Sequence, residues 1–271
     1  MQIRAAHAEE FAAIHALLEL AGLPTGDLTT SNIEWLVALN EGKLRGVVGL
    51  EAFGSTGLLR SLAVQPSARG CGIASALVAE LELRSRERGV RQLLLLTQTA
   101  EKFFRDRGYT LADRAAAPAD VRDSAEFRSL CPASAVCMTK QPEAAKRVLF
   151  VCVENSNRSQ MAEAFAHLHG MGKVFAASAG SKPSGTINPK AMRFMGELGY
   201  DMYEHRSKSL DEIRGDFDVV VGMGCGDSCP WIPAKRRVDW DLPDPKSMTD
   251  DAYREVRDEI SRRVAQLLQS L

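Results

Sequence analysis

Hydrophobic residues in the first half of the chain recur at two different spacings. Apolar side chains lie three and four positions apart over residues 9–21 and 72–88, which predicts two amphipathic helices. Short apolar runs over residues 44–53, 58–64 and 92–97 predict strands. This half is therefore expected to contain both helices and strands.

In the second half, apolar strand-like runs alternate with helix-like segments. The order is strand 148–152, helix 159–168, strand 174–178, helix 188–198, strand 218–222 and a closing amphipathic helix. Such alternation predicts right-handed βαβ units on a parallel sheet. Ligands of such sheets bind beyond the carboxyl ends of the strands, so the loops there are the first places to look for chemistry.

A proline-containing stretch separates the two halves. Residues 103–109 predict a short helix closed by Gly108, and residues 115–128 fit no element. The stretch 141–145 then precedes a fresh strand, and Pro142 cannot continue a sheet ladder. With a length of 271 residues, the chain is predicted to form two α/β domains, residues 1–141 and 146–271.

Composition excludes several classes of partner. The chain has 34 basic and 35 acidic residues, and this balance argues against nucleic acid or an anionic membrane as its main partner. No apolar run approaches the ~18 residues of a membrane span, and the first residues do not resemble a signal peptide. Six cysteines in a chain of this length fit a reducing compartment, so a cytoplasmic location is expected.

One loop carries the strongest chemical signal. It joins the strand ending at Cys152 to the helix beginning near Ser159, and it consists of Cys152, Val153, Glu154, Asn155, Ser156, Asn157 and Arg158. Backbone N–H groups at a helix start attract tetrahedral anions, and an arginine can bind two of their oxygens. A helix start and an arginine also favour the thiolate, the nucleophilic form of cysteine. The competing interpretation is a buried cysteine at a strand end beside a surface arginine.

This loop, with Ser159 and the downstream Asp241-Leu242-Pro243-Asp244-Pro245, resembles the low-molecular-weight tyrosine phosphatase superfamily. The resemblance covers residues 146–271 and implies a parallel four-stranded sheet with helices on both faces. It implies that Cys152 is the nucleophile, that Arg158 and the loop bind the oxyanion, and that Asp244 is the general acid. Without the loop, Asp244 would be interpreted as a solvated turn residue before proline.

Two further cysteines favour one branch of that superfamily. Cys225 and Cys229 follow the strand 218–222, and a turn or one coil of helix would bring them within disulfide distance. They resemble the thioredoxin-coupled arsenate reductases. This resemblance implies that Cys152 attacks arsenate, that Cys225 and Cys229 finish as a disulfide, and that thioredoxin or a small thiol reduces it. Zinc is the rival ligand, but no fitting second Cys or His pair exists, so no metal is expected.

Some residues depart from these resemblances. Glu154 places a carboxylate in an anion-binding loop, which is tolerable if its side chain points outward. Lys246-Ser247 replaces an aromatic pair that tyrosine phosphatases often carry after Asp-Pro, and this weakens the phosphatase interpretation. His167, His169 and His205 are isolated in the sequence and are expected to be surface or helix residues.

A second loop in the first half has a different resemblance. Arg69, Gly70, Cys71, Gly72, Ile73 and Ala74 stand between a strand and a helix, and they resemble the acetyl-CoA loop of the GCN5-related N-acetyltransferases. This resemblance implies a mixed sheet with helices, and it implies acetyl-CoA as the cofactor. Glycines suit such a loop because they let the backbone approach a pyrophosphate. Phe103 and Phe104 stand where many members place an acid-donating tyrosine, and Glu51 is either a base or a solvated strand residue.

Two hypotheses remain open from the sequence. The leading one is an arsenic-detoxifying fusion of an arsenate reductase with an acetyl-CoA-binding domain, using an external thiol reductant and no metal. The alternative is a low-molecular-weight tyrosine phosphatase whose first half is a non-catalytic sensor or assembly module. Cys131 and Cys137 are either core residues or metalloid-responsive thiols.

Overall fold

The protein is described by a computed structural model that covers residues 1–142, 145–170, 174–224 and 232–271. The chain forms two compact units, one of Ile3–Ala144 and one of Met1–Gln2 with Ala145–Leu271. Within the described ranges, no helix combines the length and apolar character that crossing a membrane requires.

The first unit is built on a seven-stranded mixed sheet. Its strands are β1 (Gln2–Ala5), β2 (Ile33–Asn40), β3 (Lys43–Phe53), β4 (Thr56–Val64), β5 (Gln92–Thr97), β6 (Thr110–Leu111) and β7 (Val136–Lys140). Their order across the sheet is β1-β2-β3-β4-β5-β7-β6. β4 and β5 are parallel, whereas the β2–β3, β3–β4, β5–β7 and β6–β7 pairs are antiparallel.

Helices cover both faces of this sheet. They are α1 (Phe11–Leu20), α2 (Ile73–Glu87), α3 (Glu101–Arg105) and α4 (Ala119–Arg122). Val37 and Val47 pack with α1, whereas their neighbours Leu36 and Val48 pack with α2. This division follows the period of two along a strand, which sends successive side chains to opposite faces.

The second unit is a four-stranded parallel sheet, as predicted. Its elements are β8 (Lys146–Cys152), α5 (Arg158–Gly170), β9 (Val174–Gly180), α6 (Pro189–Gly196), β10 (Phe217–Met223), β11 (Ala234–Trp240) and α7 (Asp250–Gln269). The strand order is β11-β10-β8-β9, with every pair parallel. The mixed and the parallel sheet together confirm the predicted fold class.

The central strands of this sheet are buried on both faces. Val148 and Phe150 of β8 pack with residues of α5, α6 and α7, whereas Leu149 and Val151 pack on the other face beside Leu210 and other apolar residues. Burial on both sides explains the continuous apolar runs of β8 and β10. All four strands are parallel, so the loops after β8, β9 and β10 leave from one edge of the sheet.

Candidate active site

The loop between β8 and α5 has its carbonyl groups held on its outer side. Each carbonyl of residues 152–156 accepts a hydrogen bond from a residue outside the loop. These bonds run from Ser181 N to Cys152 O (3.3 Å), Lys182 N to Val153 O (2.9 Å), Ser184 N to Glu154 O (3.0 Å), Gln160 Nε2 to Asn155 O (3.2 Å) and Asn188 N to Ser156 O (3.0 Å). In a trans peptide the C=O and the following N–H point in opposite directions. The N–H groups of residues 153–157 therefore face the inside of the loop, next to the start of α5, where an anion is favoured.

The sulfur of Cys152 lies inside this ring of donors. Its Sγ accepts a hydrogen bond from Asn155 N at 3.2 Å and lies 2.9 Å from Ser159 Oγ. Ser159 Oγ already accepts from Asn155 Nδ2 at 2.9 Å, so its own hydroxyl hydrogen is free to donate to the sulfur. Two hydrogen-bonding groups, Asn155 N and Ser159 Oγ, therefore contact the Cys152 sulfur.

Arg158 stands at the end of the loop and reaches a second segment. Its Nη1 donates to Leu242 O at 2.9 Å, and its Nη2 lies 3.6 Å from Asp244 Oδ2. Gly224 makes room for this arrangement: it has a φ of +71°, and an added Cβ would lie 2.7 Å from Leu242 O and 3.0 Å from Arg158 Nη1. Arg158 is buried, whereas the Asp244 side chain is 57% exposed beside it.

The carboxylate of Glu154 points out of the loop. Both of its oxygens accept from Lys246 Nζ, at 2.8 and 3.0 Å, and Oε2 also accepts from Ser156 Oγ at 3.3 Å. The hydrogen bond from Lys246 lowers the pKa of Glu154. The outward side chain and the inward backbone therefore coexist, which is the condition under which a glutamate is tolerable at this position.

The loop between β4 and α2 is shaped by two glycines. Gly70 and Gly72 both have a φ of +79°, and no atom lies within 4 Å of a Cβ built on either. Gly72 is the N-cap of α2, and Ile73 anchors the helix start in the core. Cys71 is exposed between the glycines. This open backbone at the start of a fifteen-residue helix is accessible to an anionic group.

A cavity of about 450 Å³ lies where β4 and β5 diverge. The two strands pair only between residues 56–58 and 92–94, although both continue further. Beyond that point the cavity is lined by Arg60, Ser61, Phe104, Glu126 and Cys131, among others. Its volume is in the range of small-molecule and cofactor sites.

Both halves are similar to known families. The family described as low molecular weight phosphotyrosine protein phosphatase matches residues 147–271. The glutaredoxin arsenate reductase of Synechocystis sp. is 38% identical over 45% of this chain and 96% of its own length. The arsenate reductase of Halalkalibacterium halodurans is also 38% identical, over 44% of this chain and 92% of its own.

The chain belongs to the low molecular weight phosphotyrosine protein phosphatase family. We call residues 147–271 the phosphatase-family domain. Residues 31–111 match the acetyltransferase (GNAT) domain family, and we call the unit that contains them, Ile3–Ala144, the GNAT domain. Both are enzyme families, so the chain is an enzyme.

Solved structures are similar to each domain. An arsenate reductase in the phosphate binding state is 37% identical and covers 46% of this chain and 98% of its own, with a TM-score of 0.44. A Mycobacterium tuberculosis protein solved in complex with CoA is 26% identical and covers 51% of this chain and 98% of its own, with a TM-score of 0.46.

The structure brings together some of the predicted site residues. In the phosphatase-family domain, Cys152, Arg158 and Asp244 lie around one loop, as the contacts above describe. Cys225 and Cys229 lie outside the described residues. Among the residues that are described, no group of three or more His, Cys, Asp and Glu side chains is arranged to hold a metal ion.

A buried polar network under the loop was not predicted. Asn155 Nδ2 donates to Ser178 Oγ at 2.8 Å, and Ser178 Oγ donates to the buried carboxylate of Glu163. Lys208 Nζ lies 3.2 Å from Glu163 Oε1, and Lys208 N donates to Asn155 Oδ1 at 2.7 Å. These residues come from α5, β9 and the segment before β10, and no sequence spacing connects them.

His205 belongs to the same network, and the expectation of a surface or helix position was wrong for it. Its side chain is 4% exposed. Its Nδ1 lies 2.8 Å from Gln160 Oε1, and its Nε2 lies 2.9 Å from Tyr200 OH. Burial lowers the pKa of His205 to about 4, so the ring is neutral at neutral pH. Gln160 in turn donates to Asn155 Oδ1 at 2.9 Å, which links His205 to the loop.

Glu51 of the GNAT domain is neither solvated nor free. Its carboxylate accepts from Arg60 Nη1 at 3.1 Å, and Asp27 and Glu126 bind the same guanidinium at 2.6 and 2.9 Å. Burial raises the pKa of Glu51, and the neighbouring carboxylates add to the shift.

Cys131 lies beside the same cluster, and its Sγ donates to Glu126 at 3.0 Å. Burial is the largest cause, and this hydrogen bond the second, of a pKa of Cys131 raised to about 12. Cys131 is therefore a thiol at neutral pH and a poor nucleophile.

Proposed function

We propose that the phosphatase-family domain reduces arsenate to arsenite. The observation that carries this proposal is the loop 152–158, whose N–H groups face its inside and whose Asn155 N–H donates to the Cys152 sulfur. Arsenate is a tetrahedral oxyanion of the kind that such a loop binds. The 38% identity to arsenate reductases over nearly their whole length supports arsenate as the substrate in preference to a phosphate ester.

The proposed reaction begins with attack of the Cys152 thiolate on As(V). A sulfur–arsenic bond forms and a water molecule leaves, with Asp244 supplying a proton. Cys225 then attacks the Cys152 sulfur, so a disulfide forms and the electron pair of the sulfur–arsenic bond stays on arsenic, which leaves as arsenite. Cys229 attacks Cys225 and releases Cys152 as a thiolate. Arg158 binds substrate oxygens throughout.

The cycle needs two electrons from outside the chain. A thioredoxin, a glutaredoxin or a low-molecular-weight thiol would reduce the Cys225–Cys229 disulfide to two thiols. A glutaredoxin is included because one relative is named a glutaredoxin arsenate reductase. Separate assays with each reductant identify which one supports turnover.

The test is arsenite production by the full chain with each reductant. Cys152→Ser and Cys225→Ser are expected to release no arsenite, because the first cannot form the sulfur–arsenic bond and the second cannot break it. Cys229→Ser is expected to stop after a single turnover, at the Cys152–Cys225 disulfide. Cys131→Ser is the matched control, because a serine keeps the hydrogen bond to Glu126 in the other unit. Sustained turnover by Cys225→Ser would show that the thiol relay is wrong.

The alternative is hydrolysis of an aryl phosphate at the same loop. It uses Cys152, Arg158 and Asp244 but neither Cys225 nor Cys229. Rapid hydrolysis of an aryl phosphate that is unaffected by Cys225→Ser and Cys229→Ser, without arsenite production, would select the phosphatase.

We also propose that the GNAT domain binds acetyl-CoA, with the pyrophosphate at residues 69–74. The open glycine backbone at the start of α2 supports this proposal, together with the cavity where β4 and β5 diverge. Calorimetry with acetyl-CoA tests it. Gly72→Ala and Gly89→Ala strain the two ends of α2 alike, since both glycines have positive φ and open space around them. Only Gly72→Ala should weaken acetyl-CoA binding, and equal binding by both variants would refute the assignment.

A further inference from the structure

Two contacts attach the segment 242–246 to the loop 152–158, which we call the oxyanion loop. Arg158, the last loop residue, donates to Leu242 O and faces Asp244. Glu154, the third loop residue, accepts from Lys246. Asp244 lies between the two attachments in the sequence. Its own carboxylate accepts from Lys246 N at 3.1 Å, so the lysine backbone and the Asp244 side chain form one capped turn.

The Glu154–Lys246 pair also sets the charge beside the loop. The lysine hydrogen bond lowers the pKa of Glu154, and the same bond raises the pKa of Lys246. Both groups are therefore charged at neutral pH, and their charges cancel. Removing one partner leaves the other uncompensated next to a site that binds an anion. Lys246 removal leaves a negative charge there, and Glu154 removal leaves a positive one.

We propose that Glu154 and Lys246 act as a positioning pair that holds the Asp244 turn against the oxyanion loop and keeps that part of the site electrically neutral. The inference rests on the proposed arsenate reduction and names two residues to which that mechanism gives no chemical step. Glu154 and Lys246 are 92 positions apart in sequence, and the pair joins the oxyanion loop to the Asp244 turn.

The pair predicts changes in binding of opposite sign. Lys246→Met should weaken binding of inorganic phosphate and raise the KM for arsenate by about two- to five-fold, the range measured for exposed ion pairs. Glu154→Gln should leave phosphate binding equal or tighten it by up to about the same factor. Both variants should lower kcat, because both release the Asp244 turn. A role in stability alone would move phosphate affinity in the same direction in both variants.

The double variant Glu154→Lys with Lys246→Glu restores the pair with its charges exchanged. Its kcat and phosphate affinity should recover toward those of the unmodified protein. The matched control is Lys235→Met, since Lys235 Nζ also pairs with a carboxylate, Asp218 Oδ1 at 2.9 Å. That pair stands where β10 begins, at the opposite end of the parallel strands from the loop.

The measurements are phosphate affinity by calorimetry and steady-state arsenite production at several arsenate concentrations. Phosphate shifts of the same sign in the two single variants, or no recovery in the exchanged pair, would overturn the inference. If the unmodified protein makes no arsenite, the proposed function fails. The phosphate affinities then still decide whether the pair controls the charge of the anion site.

Discussion

Asn155 donates its backbone N–H to the Sγ atom of Cys152 from a left-handed conformation with a φ of +48°. A positive φ costs conformational energy in residues other than glycine, and asparagine is among those in which this cost is smallest. The side chain of Asn155 is held by four contacts, to Ser159, Ser178, Gln160 and the Lys208 backbone, which offset that cost. The conformation of the loop 152–158 therefore depends on one buried amide.

Replacing Asn155 separates the cost of the backbone from that of the amide. Asn155→Ala removes the amide and keeps the strain, whereas Asn155→Gly removes both. We expect the alanine variant to lose about 2–4 kcal/mol of unfolding free energy, because several buried polar partners lose a hydrogen bond. The glycine variant should be about 1 kcal/mol more stable than the alanine variant. Urea unfolding measures both, and equal stabilities would show that the backbone is unstrained.

The sequence predicts the site residues that stand next to a strand or helix signal, and it does not predict those that reach the site from distant segments. Cys152, Arg158 and the glycine loop at residues 69–74 stand beside strand and helix signals, so their placement could be predicted. The partners under the loop are Glu163, Ser178 and Lys208, which are polar residues on separate elements. Only tertiary packing brings them together, and no period or spacing records that.

Strands β1, β2, β6, β7 and β11 were not predicted from the sequence, and of these β6 and β11 have a weak pattern. β11 reads Ala-Lys-Arg-Arg-Val-Asp-Trp, in which most side chains are exposed. It is an edge strand, and charged residues on an edge discourage pairing with another chain. β6 has only two residues. By contrast, β8 and β10 are central and buried on both faces, and their apolar runs were sufficient to predict them.

Gly180 is expected to tolerate no side chain, because β9 ends against the loop 152–158. A Cβ there would lie 2.5 Å from Val153 O and 3.0 Å from the Asn155 backbone nitrogen. Gly180→Ala should therefore displace the loop and reduce arsenite production at least about ten-fold, as small misplacements of catalytic groups do. Gly196→Ala is the control, since no atom lies within 4 Å of a Cβ there. Equal activities of the two variants would contradict the close approach.

The carboxylates around Arg60 should differ in their effect on stability. Burial raises the pKa of Glu51, whereas hydrogen bonds from Arg60 and Ser31 outweigh burial and lower the pKa of Asp27. A raised carboxyl pKa means that the stabilising contribution is lost as pH rises through the folded-state value. A lowered pKa means that it is present above the unfolded value and is lost on acidification.

At pH 7, Asp27→Asn is therefore expected to cost about 1–3 kcal/mol of unfolding free energy, because it weakens a buried charged hydrogen bond. Glu51→Gln should change the unfolding free energy by less than about 0.5 kcal/mol or increase it, since glutamine can still accept from Arg60 and one of three clustered negative charges is removed. Denaturant unfolding at pH 7 compares the two variants. A larger loss for Glu51→Gln than for Asp27→Asn would contradict the assigned shifts.

The lowered pKa of His205 is expected to make the stability of the phosphatase-family domain depend on pH in the acidic range. Burial lowers its pKa from 6.5 to about 4, so between these values the unfolded chain binds a proton that the folded domain does not. Stability must then fall as pH falls through this window, by at most ~1.4 kcal/mol per pH unit from this group. Above pH 6.5 the histidine is neutral in both states and contributes no slope.

His205→Gln should flatten that slope, because glutamine has no proton to gain. It should also lower stability at pH 7, since the contacts to Gln160 and Tyr200 change. Hydrogen exchange of peptides from β8 and α5 at pH 7, 6 and 5 reports the stability of this domain separately from the GNAT domain. His15→Gln, on the exposed side of α1, is the control and should leave the slope of β8 and α5 unchanged. An unchanged slope in His205→Gln would mean that another group titrates in this window and that burial of His205 does not govern the acid sensitivity of the loop.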